Sequence, residues 1–262
     1  MVPRSRERKR QMAHKFTFID TESWWCPKLA GDYKRLDPAC EKHRIGCRRI
    51  GIAAAFDVDI DSEGRVSVGT LASWTEHAQL DELSVVSNLF DYLRFRPDRT
   101  VVSYGGVNQD MRVLGLAAME YGVQLPPQLV DMPGRKGPRK HIDLDLVLKA
   151  GGKTYHHLSE VALRCGVPVG LLEGKARVVK PVAGGAWEMV RGHCERDTLI
   201  LAIAKLAWLT SQGEAGLRVR EALFTLVTGF IRRRPDHSSS EVLGAYADRL
   251  RQEIADGFDL AA

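Results

Sequence analysis

The stretch KFTFIDTES, residues 15–23, alternates polar residues with aromatic and β-branched ones as far as Asp20. Such alternation is typical of a β-strand with one face in the core. Two stretches of similar character follow, RRIGIAAAFDVDI at residues 48–60 and RVSVGTLASW at residues 65–74, joined by a short turn. The sequence therefore predicts a first strand that ends near Asp20 and is followed by a β-hairpin.

Helical periodicity dominates after the hairpin. Apolar residues recur at helical spacing over residues 77–95, and TVVSY at residues 100–104 then interrupts them as a short buried strand. HIDLDLVL at residues 141–148 begins like a strand and continues as a helix. Further helices are expected at residues 109–121, 156–167, 186–209, 215–232 and 240–255. This order of elements indicates an α/β sandwich around a mixed central sheet.

Composition is that of an ordinary soluble protein of 262 residues, without an apolar run of membrane-spanning length. The basic N-terminus is followed by no apolar signal segment. We expect a flexible arm at residues 1–14, an α/β domain at residues 15–210, and a helical extension at residues 211–262 packed on the same domain. Cytoplasmic location is the default expectation. The net charge of +5 slightly favours a polyanionic partner.

Five cysteines at uneven spacing do not resemble a disulfide framework, and reduced thiols fit better. Four residues after the first strand could bind a structural zinc ion. Their spacing lacks a C-x-x-C pair, so we expect ordinary loop side chains instead. These four residues are Cys26, Cys40, His43 and Cys47.

Two carboxylates follow each other along the first strand. Asp20 and Glu22 are two residues apart, so their side chains point to the same face. A divalent cation would relieve their mutual repulsion. A lone D-x-E pair is more often a turn cap beside a solvated acid, so the pair alone does not establish a metal site.

Two later motifs add further acids. Asp110 opens a predicted helix just after the buried strand and the pair Gly105–Gly106, and glycines allow a ligand to approach the backbone closely. His193 and Asp197 lie four residues apart, hence on one face of a long apolar helix. Taken singly, these residues also fit the ordinary roles of helix caps and first-turn charges.

The order of the three motifs resembles that of the DEDD superfamily of 3'–5' exonucleases. The chain is most similar to stand-alone exonucleases related to the proofreading domain of family B DNA polymerases, over roughly residues 15–210. VVSYGG at residues 101–106, HIDLDLVL and LSEVALRCGVP at residues 158–168 support the similarity. The resemblance implies a ribonuclease H-like fold, a three-layer sandwich with a mixed central sheet, here with extra C-terminal helices.

The resemblance also implies a chemistry. Two Mg²⁺ or Mn²⁺ ions would bind to the four carboxylates, one ion activating water and the other stabilising the leaving 3' oxygen. His193 is expected to act as general base, since imidazole titrates near neutrality. The substrate would be single-stranded nucleic acid, DNA favoured over RNA, and the product a nucleoside 5'-monophosphate. The implied metal ligands are Asp20, Glu22, Asp110 and Asp197.

This chain departs from the family pattern near its second and third motifs. Gln109 stands where the family usually has phenylalanine or tyrosine, and the glycine pair stands where an asparagine is common. His193 combines the spacing of the family's tyrosine branch with the residue of its histidine branch. Contacts with the substrate strand are expected from Thr21, Trp24, Gly105, Gly106 and Asn108.

Other residues could also meet a nucleic acid. Trp24 and Trp25 could stack on a terminal base, although core packing is as plausible. A basic cluster could guide the phosphate backbone or simply be a solvated loop. That cluster consists of Arg135, Lys136, Arg139 and Lys140.

Two other functions fit the same residues. One is a nucleic-acid-binding module on this fold that has lost catalysis, which a nuclease assay with Mn²⁺ would distinguish. The other is a metal-dependent phosphodiesterase acting on small nucleotides, which a substrate-length series would reveal. Retention of all four acids favours the exonuclease over the inactive module.

Overall fold

A five-stranded mixed sheet forms the centre of the described chain. The computed structural model describes residues 13–40, 44–130, 140–172, 185–214 and 216–257. The strands are β1 (His14–Trp25), β2 (Arg48–Ile60), β3 (Val66–Thr75), β4 (Thr100–Ser103) and β5 (His141–Asp143). Their order in the sheet is β3-β2-β1-β4-β5. β1, β2 and β3 pair antiparallel, whereas β4 runs parallel to β1 and β5 parallel to β4.

Helices cover both faces of this sheet, which confirms the predicted three-layer α/β sandwich. Within the described ranges they are α1 (Pro27–Leu36), α2 (Glu76–Gln79), α3 (Glu82–Arg94), α4 (Asp110–Tyr121), α5 (Leu144–Lys149), α6 (Leu158–Arg164), α7 (Trp187–Ser211), α8 (Val219–Arg233) and α9 (Ser240–Ala255). Short 3₁₀ turns lie at Ile45–Cys47 and Val169–Leu171. No described helix has the length and apolar character needed to cross a membrane.

Alternation along β1 divides the core between the two layers. Phe18 pairs with Phe56 across β1 and β2, and both belong to the cluster under α7, α8 and α9. The next pair, Ile19 and Ala55, faces α3 and α4 on the other side of the sheet. This is the period of two that the sequence pattern of β1 predicts.

The C-terminal helices share the larger of these cores. The ring of Phe230 on α8 meets Phe56 edge-on, with the ring centroids 5.9 Å apart. Gly229 lies so close to Val68 on β3 that a larger residue would collide with it. α8 therefore packs on the central sheet, while the division of the chain at residues 14 and 210 stays a prediction.

β1 is longer than the sequence pattern predicts. The strand continues to Trp25, so Asp20 and Glu22 lie within it and not at its end. Glu22 pairs with Ile52 and Ser23 with Ile50, which makes Gly51 the extra residue of a β-bulge. Regular pairing with β2 continues through Asp20 and Glu22, and pairing resumes beyond the bulge as far as Trp25, so the strand does not stop at Asp20.

The helical pattern at residues 77–95 is also interrupted. Leu80 adopts a left-handed backbone conformation with a φ of 78°, and this ends α2. The Asp81 side chain then accepts a hydrogen bond from the Ser84 N–H at 2.7 Å and caps α3. Two helices therefore replace the single one that was predicted.

Candidate active site

The first two acids project from the same face of β1 toward α7. Asp20 pairs with Ala54 and Glu22 with Ile52 in the β1–β2 register. Ile52 and Ala54 are buried and pack with Val190 and Cys194 of α7. The strand thus presents its two carboxylates to the first half of that helix.

α7 brings the third motif to these acids. His193 Nε2 lies 3.6 Å from Glu22 Oε1 and also 3.6 Å from Asp197 Oδ2. Both distances exceed those of a hydrogen bond but are within ion-pair range. The imidazole is buried, with 5% of its surface exposed. His193 therefore stands between a carboxylate of the sheet and a carboxylate of its own helix.

Asp110, the remaining acid of the group, lies in the first turn of α4. The loop before it is held by the buried carboxylate of Asp143, which accepts hydrogen bonds from the N–H groups of Gly105 at 2.9 Å and Val107 at 2.8 Å. Asp143 also accepts from the N–H of Asp145 at 3.1 Å. One side chain at the end of β5 thereby sets the path of the chain that leads into Asp110.

The glycine pair has a structural reason in this loop. Gly105 has a φ of 63°, a left-handed conformation that favours glycine. A side chain at Gly106 would collide with the side chain of Ser103. The Ser103 hydroxyl is in turn hydrogen-bonded to His141 Nε2 at 2.8 Å. Turn geometry and close packing therefore account for both glycines without a substrate contact.

The pKa of Asp20 is affected by all three of the other acids. Burial raises the pKa of its carboxyl well above the usual value, and the nearby carboxylates raise it further. Its Oδ2 is buried and accepts no hydrogen bond from the described residues. The carboxylates that act on the pKa of Asp20, in decreasing order of effect, are those of Asp197, Glu22 and Asp110.

The donor chemistry of this group fits divalent cations. Carboxylate oxygens are the ligands that Mg²⁺ and Mn²⁺ prefer, and the buried oxygen of Asp20 lacks a partner. In the described ranges, no set of three or more His, Cys, Asp or Glu side chains is already assembled as a metal site. Without a cation, the carboxylates of the group repel one another. The case for a divalent-cation site therefore rests on the ligand types and on the buried Asp20 oxygen that lacks a hydrogen bond from the described residues.

The acids line a cavity of about 680 Å³, a size typical of ligand sites. Its wall includes Arg48, whose Nη1 donates hydrogen bonds to the backbone oxygen and the hydroxyl of Ser23 at 2.9 and 3.0 Å. The guanidinium lies 4.8 Å from the ring centroid of Trp25. Other residues that line the cavity are Trp24, Tyr104, Gln109, Asp145, His156, His157 and Leu172.

Trp24 is held at this wall by the bulge. Its ring covers Gly51, where any side chain would collide with it, and meets Trp187 edge-on at 5.5 Å. Trp24 therefore packs against α7 and also lines the cavity, while its stacking on a base stays a prediction.

The residues expected to contact substrate are not all placed at the cavity. Thr21, Trp24 and Gly105 line it, whereas Gly106 is buried beneath the loop and Asn108 is exposed outside the lining. His43 of the considered zinc group and Arg135, Lys136 and Arg139 of the basic cluster lie outside the described residues.

Several residues that shape the site were missed in the sequence. Arg48 and Asp143 carried no motif, although Asp143 lies within the HIDLDLVL fragment. Arg196 is buried beside His193, and its Nη2 lies 2.8 Å from the ring Nδ1. The direct adjacency of Arg196 to Asp197 was the only signal, and it did not reveal which atom the guanidinium contacts.

The chain is similar to known proteins both in sequence and in structure. The model of a family described as "predicted 3'-5' exonuclease related to the exonuclease domain of PolB" matches residues 43–209, more than half of the chain. This range includes Asp110, His193 and Asp197 and begins after Asp20 and Glu22. No curated protein matches the sequence.

One similar solved structure is the family B DNA polymerase from the hyperthermophilic archaeon Pyrobaculum calidifontis. It is 17% identical, and the match covers 84% of this chain and 29% of the polymerase chain, with a TM-score of 0.44. The present chain therefore spans less than a third of the polymerase's length.

Proposed function

The chain belongs to a family of predicted 3'-5' exonucleases related to the exonuclease domain of PolB, and on that basis we propose that it is a metal-dependent exonuclease. It would remove nucleotides from the 3' end of single-stranded nucleic acid, DNA in preference to RNA, and release nucleoside 5'-monophosphates. Hydrolysis would use two divalent ions bound at the carboxylate group.

The observation that carries this proposal is the position of Asp20. A buried carboxylate oxygen without a hydrogen-bond donor is unfavourable, and three further carboxylates make it more so. A protein keeps such an arrangement at a cavity when a cation completes it. Structural acids elsewhere in the chain differ, because buried Asp57 has Thr17, Tyr92 and Arg96 as partners.

Four residues would hold the ions, namely Asp20, Glu22, Asp110 and Asp197. When bound, Mg²⁺ or Mn²⁺ would lower the pKa of water and stabilise charge on the leaving oxygen. β1 and α7 carry three of these carboxylates on packed elements, so the side chains and not the backbone would move to bind an ion. Asp143 fixes the fourth indirectly, through the loop that ends at Asp110.

His193 would contact the attacking water. Its Nε2 faces the space between Glu22 and Asp197. The helix and the ring's burial hold the imidazole in one orientation, so the water would be aligned without a rearrangement of His193.

The residues of the cavity wall are suited to binding the end of one nucleic-acid strand. Arg48 would pair with a backbone phosphate, and the faces of Trp24 and Trp25 would stack on a base. Such stacking tolerates any base, which fits degradation without strong sequence preference. The size of the cavity lies within the range of small-molecule sites, which fits binding of a strand end.

Degradation of a 5'-labelled strand tests the proposal. DNA and RNA strands of several lengths would be incubated with Mg²⁺, with Mn²⁺ or with a chelator. We expect stepwise shortening from the 3' end that needs the ion and is faster on DNA. Asp20→Asn and Asp197→Asn should each lower the rate by about two orders of magnitude or more.

Asp248→Asn serves as the matched control, because that carboxylate is exposed on α9 and pairs only with Arg251 among its described contacts. Undiminished activity in both site variants would overturn the assignment of the carboxylates. Binding of strands without any shortening would instead support the inactive module, and activity confined to dinucleotides would support the small-nucleotide phosphodiesterase.

A further inference from the structure

Arg196 makes a buried contact with the side of His193 that faces away from the acids. Its Nη2 lies 2.8 Å from Nδ1 of the imidazole, and only 3% of Arg196 is exposed. The two residues are three apart on α7, which places them on one face of the helix. A guanidinium in such a position is not a surface ion pair but a fixed neighbour of the ring.

The chemistry of the guanidinium decides the direction of this hydrogen bond. Arginine has five N–H donors and no acceptor, and it stays protonated in proteins. Nδ1 of His193 must therefore accept. A neutral imidazole has one N–H group, and when Nδ1 accepts, that proton lies on Nε2. Nε2 is the atom that faces Glu22 and Asp197.

The turn between α8 and α9 holds Arg196 in place. Its Nη1 donates to Ser239 Oγ at 3.2 Å. The N–H of Ser239 donates to Nδ1 of His237 at 3.0 Å, so Nε2 of that ring donates to the backbone oxygen of Gly192 at 2.9 Å. His237 and Ser239 are both buried. The turn is thus tied to α7 on both sides of His193.

We propose that Arg196 is a positioning residue that holds His193 in its Nε2–H form. His193 then presents a hydrogen-bond donor to the cavity and not a lone pair. In the proposed exonuclease, on which this last step rests, the ring would orient the oxygen of the attacking water or of the substrate phosphate. A donor at Nε2 differs from the base role predicted from the sequence.

A second part of the proposal concerns the C-terminal extension. His237 and Ser239 lie beyond residues 43–209, the range matched by the family model. Through Arg196 they reach the ring at the centre of the acid group. The extension would therefore complete the site by fixing one tautomer, in addition to packing against the sheet.

Two variants of Arg196 distinguish a role in positioning His193 from a role in packing alone. Arg196→Lys keeps a charged donor that has no acceptor, whereas Arg196→Met keeps an apolar stem of similar length and removes the donor. If the contact only fills space, the two variants should leave the tautomer of His193 unchanged. If Arg196 sets the tautomer, they should differ.

Nitrogen-15 spectroscopy of the histidine rings gives the test, using the full-length metal-free protein. Two-bond ¹H–¹⁵N correlation spectra under mildly alkaline conditions show which ring nitrogen carries the proton, and His193→Gln assigns the signals. We expect the Nε2–H form in the wild type and in Arg196→Lys, and a mixture of both tautomers in Arg196→Met. A proton on Nδ1 in the wild type overturns the proposal, and so does a spectrum that Arg196→Met leaves unchanged.

The spectrum does not depend on nuclease activity, so loss of the proposed function and loss of this inference are distinguishable. Where activity is present, Arg196→Met should lower kcat about 10- to 100-fold with little change in KM, and Arg196→Lys should restore part of it. If Arg196→Met fails to fold, the spectra of the wild type and of Ser239→Ala still test the proposal. Ser239→Ala removes a hydrogen bond to Arg196, so the second tautomer of His193 should appear in its spectrum.

Discussion

The thiol of Cys194 donates a hydrogen bond to the backbone oxygen of Asp20, with the sulfur and oxygen atoms 3.3 Å apart. The bond joins α7 to β1 across 174 positions of sequence. Cys194 is fully buried against Ile52 and Ala54. Core packing therefore seats the helix that carries Asp197 on the strand that carries Asp20, so these two acids belong to the framework of the fold and not to its loops.

Replacement of Asp20 by asparagine should stabilise the metal-free protein. The pKa of Asp20 is raised on folding, so the folded state binds the proton more tightly than the unfolded state. The resulting stability is present in acid and is lost as pH rises through the raised pKa. At neutral pH the variant should melt higher, by roughly 2–4 °C for each kcal/mol recovered, and the difference should vanish in acid.

Divalent ions should make the wild type more stable than Asp20→Asn. Mn²⁺ at about 100 times its dissociation constant would add roughly 2.7 kcal/mol to the wild type, and Asp20→Asn should gain much less. Thermal unfolding with a chelator and with Mn²⁺ measures both effects, and Asp248→Asn should respond like the wild type. Equal stabilisation of Asp20→Asn by the ion would contradict a role of Asp20 as ligand.

Asp143→Ala should weaken both the fold and the site. The substitution leaves the N–H groups of Gly105 and Val107 without their acceptor, and a buried unpaired donor costs about 1–3 kcal/mol. The loop before Asp110 would loosen, and activity should fall about 10- to 100-fold, as for groups that orient metal ligands. Urea unfolding and exonuclease rates measure the two losses. Asp143→Asn retains one acceptor oxygen, so its stability and its rate should lie between those of Asp143→Ala and the wild type. Equal values for the two variants would argue against the anchoring role of Asp143.

Arg48→Ala should reduce the salt dependence of strand binding. Removal of one phosphate contact lowers the slope of log affinity against log salt by about 0.7 for a single strand. Fluorescence anisotropy with a labelled strand and a chelator measures binding without cleavage. Arg65→Ala is the control, because Arg65 lies in the β2–β3 turn at the opposite end of β1 and its side chain is 71% exposed. A slope that changes equally in both variants would show that Arg48 acts only through net charge.

Much of the fold could be predicted because its signals are local. The period of two in β1, β2 and β3 and the helical period of α3 and α7 are visible in short windows of sequence. The spacing of Asp20 and Glu22 likewise predicts that they share a face. The mixed sheet was predicted from the order of these elements, and a mixed sheet with helices on both faces is confirmed.

The remaining features depend on contacts that no short window contains. The continuation of β1 past Asp20 depends on its pairing with β2, which is distant in sequence. The environment of His193 depends on which atom Arg196 approaches and on Ser239, 43 positions further along. The glycine pair looked like a ligand-binding feature, because the packing of Ser103 against Gly106 cannot be seen in sequence.

The place of β1 in the sheet limits how this protein can be trimmed. β1 is the middle strand, with β2 on one side and β4 on the other, yet the family match begins only at residue 43. A truncated version that starts there would leave a long row of unsatisfied backbone groups on β2 and a short one on β4. Exposed strand edges of that kind promote aggregation. Shortened versions made for crystallisation must therefore retain His14–Trp25.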